Sequence, residues 1–362
     1  YIADEQGRRV VAFRAHNLHL MGYAEPVDQW MDLAALQPHL HSLPHLPDAI
    51  PYVTSYYARR WGFCIKHEQR QKLAPGMYHA SIDSTLAPGH LTYGELVIPG
   101  QCEKEVFLST YICHPSMANN ELSGPVVATA LAQWVAQRPR RYTYRFAFVP
   151  ETIGSITYLS RNHEALRRNV VAGFNLTCMG DERAYSYLPS RKGNTLADKA
   201  ALHVLHHFAP DFIRYTFLDR ESDERQYCAP GIDLPLCSVM RSKYHVYPEY
   251  HTSLDDCSLV TQKGLEGSVN IMTRILEALE ENVTYEPRVL CEPQLGKRGL
   301  YPTLSTKTSC TEQVNLMMDL LAYADGETTL LEEADIVGRD IFRCAETMRK
   351  LVEKDVLAVK TC

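Results

Sequence analysis

From about residue 104 the chain alternates short, almost uninterrupted apolar runs with longer stretches of helical spacing, and no other feature constrains its fold as strongly. Residues 105–113 (EVFLSTYIC), 144–150 (YRFAFVP), 171–177 (VAGFNLT) and 235–240 (PLCSVM) read as strands buried on both faces. Residues 124–137, 195–208 and 264–282 read as helices between them. Strands that alternate with helices imply an α/β sheet covered on both faces.

The flanking regions have other rhythms. Residues 1–100 carry short runs at 10–13, 49–57, 76–82 and 90–97 punctuated by Pro and Gly, which predicts a small strand-rich domain. The α/β domain is then 101–295. Residues 296–362 turn helical, at 311–324, 329–336 and 339–353, before a short strand at 356–359, and resemble a winged-helix module. A length of 362 residues suits two or three domains. No run approaches 18 uncharged apolar residues, so no membrane-spanning helix is expected. The net charge of -6 lacks the footprint of a protein that tracks phosphates. Eleven scattered cysteines without a CxxC pair fit buried thiols in a reducing cytoplasm. The chain opens on Tyr1 without a signal-like segment, and its native start is expected upstream. The Asn-x-Thr triplets at Asn175 and Asn282 read as coincidence.

Ligands of an open α/β sheet lie beyond the carboxyl ends of its strands. There the sequence places His114 and 118–124 (ANNELSG), then Glu151, then Asp181 with Glu182, and finally Tyr250-His251 before Asp255-Asp256. Two histidines with several carboxylates at one edge are zinc-ligand types, with a spare Glu as proton carrier. Each is weak alone; together they favour a metal site. Asp223 and Glu224 read equally as a solvated loop or as a grip on a substrate amine. Cys113 beside His114 invites a nucleophile, yet a cysteine at a strand end is usually a small buried hydrophobe. His39, His41 and His45 sit among prolines and read as a turn with exposed imidazoles. His203, His206 and His207 need only surface or capping roles.

The order CHPSMANNELSG, Pro150-Glu151, SDERQYC, Gly231-Ile232-Asp233-Leu234-Pro235 and PEYHTSLDD resembles the zinc aminopeptidases that share a fold with glutaminyl cyclases. It is most similar to the bacterial aminopeptidase-like family with an inserted N-terminal domain and a C-terminal winged helix, over essentially the whole chain. The resemblance implies a mixed sheet covered by helices, with His114 and His251 as zinc ligands and Tyr250 on the tetrahedral intermediate. The family's bridging aspartate falls on Asn120, so Asn120 or Glu121 must take that place. Its Glu-Glu pair is reduced to Pro150-Glu151, and its third-strand aspartate falls on Thr177, with Asp181 the nearby substitute. One zinc ion is expected rather than two.

The activity so implied is hydrolysis of an amide next to a free amine in a peptide or peptide-like small molecule. Glu151 would be the base, Tyr250 the oxyanion donor, and Asp223 or Glu224 the ammonium ligand. The lost carboxylates keep open a silent peptide-binding or amine-binding module, and an amidase on a biosynthetic metabolite or surface sugar is a further alternative. No membrane or nucleic-acid partner is expected, and homo-oligomerisation stays open. The winged helix holds nine basic against eleven acidic residues from Lys297 onward, a net of -2 that offers a polyanion little.

Overall fold

The computed structural model describes residues 1–300 and 309–360. Four strands, β1 (Ile2–Asp4), β2 (Arg9–Val11), β3 (Val27–Asp32) and β4 (Met77–Ile82), form a small antiparallel sheet in the order β2-β1-β4-β3. Its buried face holds Ile2, Val11, Tyr78, Ala80 and Ile82, the alternation expected of a sheet with one wet side. Residues 49–57, which the apolar run marks as a strand, are instead an extended strap over the large domain. Pro51 bridges Thr252, Tyr52 N donates to the His251 carbonyl (2.9 Å) and Ser253 N to the Ile50 carbonyl (2.8 Å).

The large sheet has seven strands: β5 (Gly94–Ile98), β6 (Glu105–Tyr111), β7 (Thr143–Val149), β8 (Val170–Asn175), β9 (Ser186–Leu188), β10 (Ile213–Arg214) and β11 (Leu236–Met240), in the order β10-β9-β11-β8-β6-β7-β5. Strand β5, read in sequence with residues 1–100, is the antiparallel edge of this sheet, because its backbone pairs with β7. The centre, β11-β8-β6-β7, is parallel. Every residue of β6 is buried, which is why its sequence lacks alternation.

Helix α1 (Ser123–Ala136) joins β6 to β7 on one side, and α2 (Ile153–Asn169) returns the chain to β8 on the other side of β6. The chain thus passes from β6 to β7 on one side and then back across to β8 on the other, so a crevice opens at the carboxyl ends of β6 and β8. Gly124 lets α1 start there: a Cβ on it would meet the Leu176 carbonyl oxygen and Thr110 Oγ1, each at 2.4 Å. Helices α3 (Leu196–Phe208) and α4 (Gln262–Glu281) complete the cover.

The C-terminal winged helix comprises β12 (Tyr285–Pro287), α5 (Ser309–Tyr323), α6 (Leu330–Val337), α7 (Ile341–Glu353) and β13 (Leu357–Val359). Strand β12 pairs antiparallel with β13, so the module begins before residue 296. Leu276 and Leu279 of α4 share one core with Leu320, Leu331 and Met348, and each such buried side chain contributes roughly 1.5–3 kcal/mol. His203 of α3 caps α7 from outside, with Nε2 accepting from Ile341 N (2.9 Å) while Nδ1 meets Asp335 (2.6 Å). The basic residues at α7 are paired with acids: Arg339 and Arg343 with Glu312, Arg349 with Glu281, and Lys350 with Glu346. No helix among the described residues is long and apolar enough to cross a membrane. The nine described cysteines are free thiols.

Candidate active site

The loops that leave β6, β7, β8 and β11 meet at the crevice, and each holds a non-glycine residue in the left-handed region. These are Ser116 (φ 61°), Thr152 (φ 61°), Cys178 (φ 52°) and His251 (φ 55°). A β-branched residue such as Thr152 rarely stays there unless its surroundings impose it, and such positions cluster at functional sites. After Met117 the chain makes one π-helical turn, Ala118–Leu122, whose first amides need acceptors. Buried Asp255 supplies them, accepting from Asn119 N (2.5 Å), Asn120 N (3.0 Å) and the Tyr247 hydroxyl (2.9 Å).

This clamp sets Glu121 against His114. Glu121 Oε2 lies 3.1 Å from His114 Nδ1, Cys113 Sγ is 3.2 Å from the same nitrogen, and the other ring nitrogen faces Glu151 Oε2 at 3.6 Å. Glu151 also faces Arg225, at 3.7 Å. Burial raises the pKa of Glu121 above the usual carboxylate range, with His114 opposing. Burial likewise raises Glu151, against the pull of His114 and Arg225. Burial first, then the Glu121 charge, pushes the Cys113 thiol well up.

His251 stands beside His114, ring centroids 5.1 Å apart, and stacks on Tyr250 at 3.9 Å. Its Nε2 is buried without a hydrogen-bond partner. Burial, then the neighbouring His114 and His245, depresses its pKa to about 3, so the ring is a neutral acceptor. Burial holds the Tyr250 hydroxyl above the ordinary tyrosine value, which keeps its proton on as a donor.

Asn120 has no charge, and the structure shows what it does instead. Its Nδ2 donates to the Tyr111 hydroxyl (2.7 Å), Tyr111 pairs with Thr177 Oγ1, and Thr177 Oγ1 donates to the Asn120 carbonyl oxygen (3.0 Å). The ring orients the amide and leaves Oδ1 buried without a partner. Two positions where the resemblance implies carboxylates are thus bound to each other.

Two sequence assignments are corrected, and a third residue is placed. Asp181 is 1% exposed, and its two oxygens already accept from Arg183 N, Ser242 Oγ, Ser242 N and Asn119 Nδ2, so it anchors loops and has no lone pair directed at the crevice. Glu224 has zero exposure and accepts from Glu221 N, Ser222 N, Tyr244 and Asn175. Asp223, also fully buried, grips Thr152 N (2.7 Å) and Ser155 Oγ (2.8 Å) and so holds the strained turn after Glu151. Its pKa is pushed up to about 7, by burial above all. Glu224 is not placed to grip a substrate ammonium, whereas Asp223 keeps one buried oxygen, Oδ2, without a partner.

Sequence reasoning missed Tyr52, which the strap lays between the two histidines at centroid distances of 5.3 Å from His114 and 5.1 Å from His251. No local signal distinguishes it from the other tyrosines of PYVTSYY. It also passed over the closeness of Cys113 to the His114 ring nitrogen and of Arg225 to Glu151. The exposed-imidazole reading of residues 39–45 fails at His39, which stacks on Trp61 with centroids 3.6 Å apart.

A family model described as a domain of unknown function, DUF4910, matches residues 17–282, well over half of the chain. The chain belongs to the DUF4910 family. A winged helix-turn-helix model matches residues 283–359 and begins just before β12. A Clostridium acetobutylicum protein, provisionally named for polysaccharide biosynthesis and an aminopeptidase-like domain, is 40% identical over 346 residues, which cover 95% of this chain and 79% of that one. A crystal structure from the same organism, provisionally described as a peptidase, superposes at a TM-score of 0.93 with 38% identity over 99% of this chain and 82% of that one. The zinc aminopeptidase of Bacillus subtilis aligns at a TM-score of 0.52 with 13% identity, over 66% of this chain and 63% of its own, which shows a shared fold. This DUF4910 chain therefore has an aminopeptidase-like fold, a large mixed sheet covered by helices, with a winged helix attached.

For the zinc that this fold implies, the donors suit one ion: an imidazole nitrogen and a carboxylate oxygen 3.1 Å apart, both on buried side chains. They do not suit two, because Asn120 and Thr177 are neutral and tied to each other.

Proposed function

We propose that this DUF4910 protein is a metal-dependent hydrolase that cleaves an amide next to a free amine. The observation that carries the reading is the pairing of His114 and Glu121 opposite Glu151, with the buried Nε2 of His251 and Oδ1 of Asn120 left without partners. Buried polar atoms are nearly always paired in folded proteins, and unpaired ones gathered at a strand-end crevice are what a ligand would complete. His114 and Glu121 would hold one zinc, which supplies Lewis acidity and a bound water with a pKa lowered to ~7. Glu151 takes a proton from the attacking water and delivers it to the departing amide nitrogen. The Tyr250 hydroxyl donates to the oxygen that gains negative charge. Neutral His251 Nε2 and Asn120 Oδ1 accept from the N–H groups of the substrate amine, the task that sequence assigned to Asp223 or Glu224. The name of the Clostridium relative favours a biosynthetic metabolite, such as a surface-sugar precursor, over general peptides. Aminoacyl amides, short peptides and acylated amino sugars assayed with zinc, and again after chelation, test the class. Turnover that disappears with the metal and returns with it is the expected result.

A single metal per chain is expected. Dialysis against a mild chelator followed by mass-spectrometric metal analysis should leave one tightly held zinc; two would contradict the neutral Asn120–Tyr111–Thr177 ring as the reason for losing the second position.

The winged helix is assigned to packing rather than to DNA. Its core is continuous with the hydrolase domain, and the cations at α7 are matched by acids, so few remain to displace counterions from a duplex. Fluorescence anisotropy with random duplex at low salt should show no micromolar binding. Binding that weakens steeply with added salt would overturn the assignment.

A further inference from the structure

We propose that Cys113 is a metal ligand in this chain, so that the ion rests on a sulfur, nitrogen and oxygen corner made by Cys113, His114 and Glu121. The proposal rests on the metal-dependent reading above and narrows it to a ligand set. Among the described residues, these three are the one group of three or more His, Cys, Asp or Glu whose ligand atoms all lie within 4.8 Å of one another. Two electron-rich atoms, Cys113 Sγ at 3.2 Å and Glu121 Oε2 at 3.1 Å, converge on a single ring nitrogen, His114 Nδ1. That nitrogen carries at most one proton, so without a cation one of the two contacts is unsatisfied.

The distances fit an ion. Tetrahedral zinc with a sulfur at about 2.3 Å and nitrogen or oxygen at about 2.0–2.2 Å places its ligand atoms roughly 3.3–3.6 Å apart, so a small opening of the corner admits it. The Glu151 N–H is directed at the sulfur (3.1 Å), a contact that suits a thiolate better than a thiol. His114 and Glu121 are 8% and 6% exposed, so the corner is walled on the protein side, whereas Cys113 is only half-buried and borders the crevice. Three protein ligands leave the fourth position for water or substrate, as a catalytic zinc requires. The thiolate selects zinc over magnesium or calcium. Binding releases the Sγ proton to solvent, and the sulfur lone pair forms the bond to the ion.

The test is cobalt substitution of the full chain. Wild type is expected to take up one equivalent of Co(II) and to show a near-ultraviolet sulfur-to-cobalt charge-transfer band. Cys113→Ser should lose that band and bind zinc at least about tenfold more weakly, while Cys257→Ser, at an exposed thiol elsewhere, keeps both. Zinc-edge X-ray absorption of the wild type should find one sulfur at about 2.3 Å, and it decides the matter alone if Cys113→Ser does not fold. Stoichiometric metal with only nitrogen and oxygen neighbours would overturn the ligand assignment and leave the hydrolase reading standing. Failure to retain any cobalt or zinc would overturn both.

Discussion

Glu151→Gln should lower turnover by a factor of about 10²–10⁴ while the metal content stays unchanged, because the substitution removes a proton carrier and nothing that holds the ion. The amide is nearly isosteric and leaves the turn intact: Asp223 still grips Thr152 N and Ser155 Oγ, and the Glu151 N–H still reaches Cys113 Sγ. What disappears is the carboxylate facing His114 at 3.6 Å and Arg225 at 3.7 Å. The measurement is steady-state turnover on the substrate found in the aminoacyl and acyl-sugar panel, with metal quantified on the same preparation. Unchanged turnover at full metal occupancy would remove Glu151 from the mechanism. A wild-type protein that binds amines and metal but turns over nothing would point to a silent binding module.

The second large effect is expected on stability. Asp255→Ala leaves Asn119 N, Asn120 N and the Tyr247 hydroxyl without their acceptor in a buried place. Each stranded donor costs about 1–3 kcal/mol, so the variant should lose roughly 3 kcal/mol or more in urea unfolding followed by circular dichroism. The same amides start the turn that brings Glu121 to His114, so metal affinity should fall with it. A loss below about 1 kcal/mol would mean that the turn is held by its neighbours and that Asp255 is not the clamp.

The sequence made the parallel strands legible because burial on both faces erases alternation, and β6 is the clearest case. The strand-end motifs then followed from the topology, and His114, Glu121, Glu151, Tyr250 and His251 do meet. What was not legible is how buried acids are satisfied. Asp223-Glu224 looks like a solvated pair because charge is a property of the residue, whereas the side chains and turn that hold it, Thr152, Ser155, Tyr244 and Asn175, are distant in sequence. Asp181 was tempting for its nearness to β8, but the Ser242 donors that claim it follow β11. Cys113 reads as a small apolar filler until Glu121 appears beside the same ring nitrogen.

The strap at residues 49–57 makes the small sheet more than an appendage. Its single bridge to Thr252 and its hydrogen bond to the His251 carbonyl splice two remote parts of the chain at the point where Tyr52 lies against both histidines. Trimming the chain to its α/β half would strip a wall from the crevice and admit bulk water to atoms that are now dry. Grafting this chemistry onto another aminopeptidase-like scaffold therefore means moving the strap together with the histidine loop as one unit.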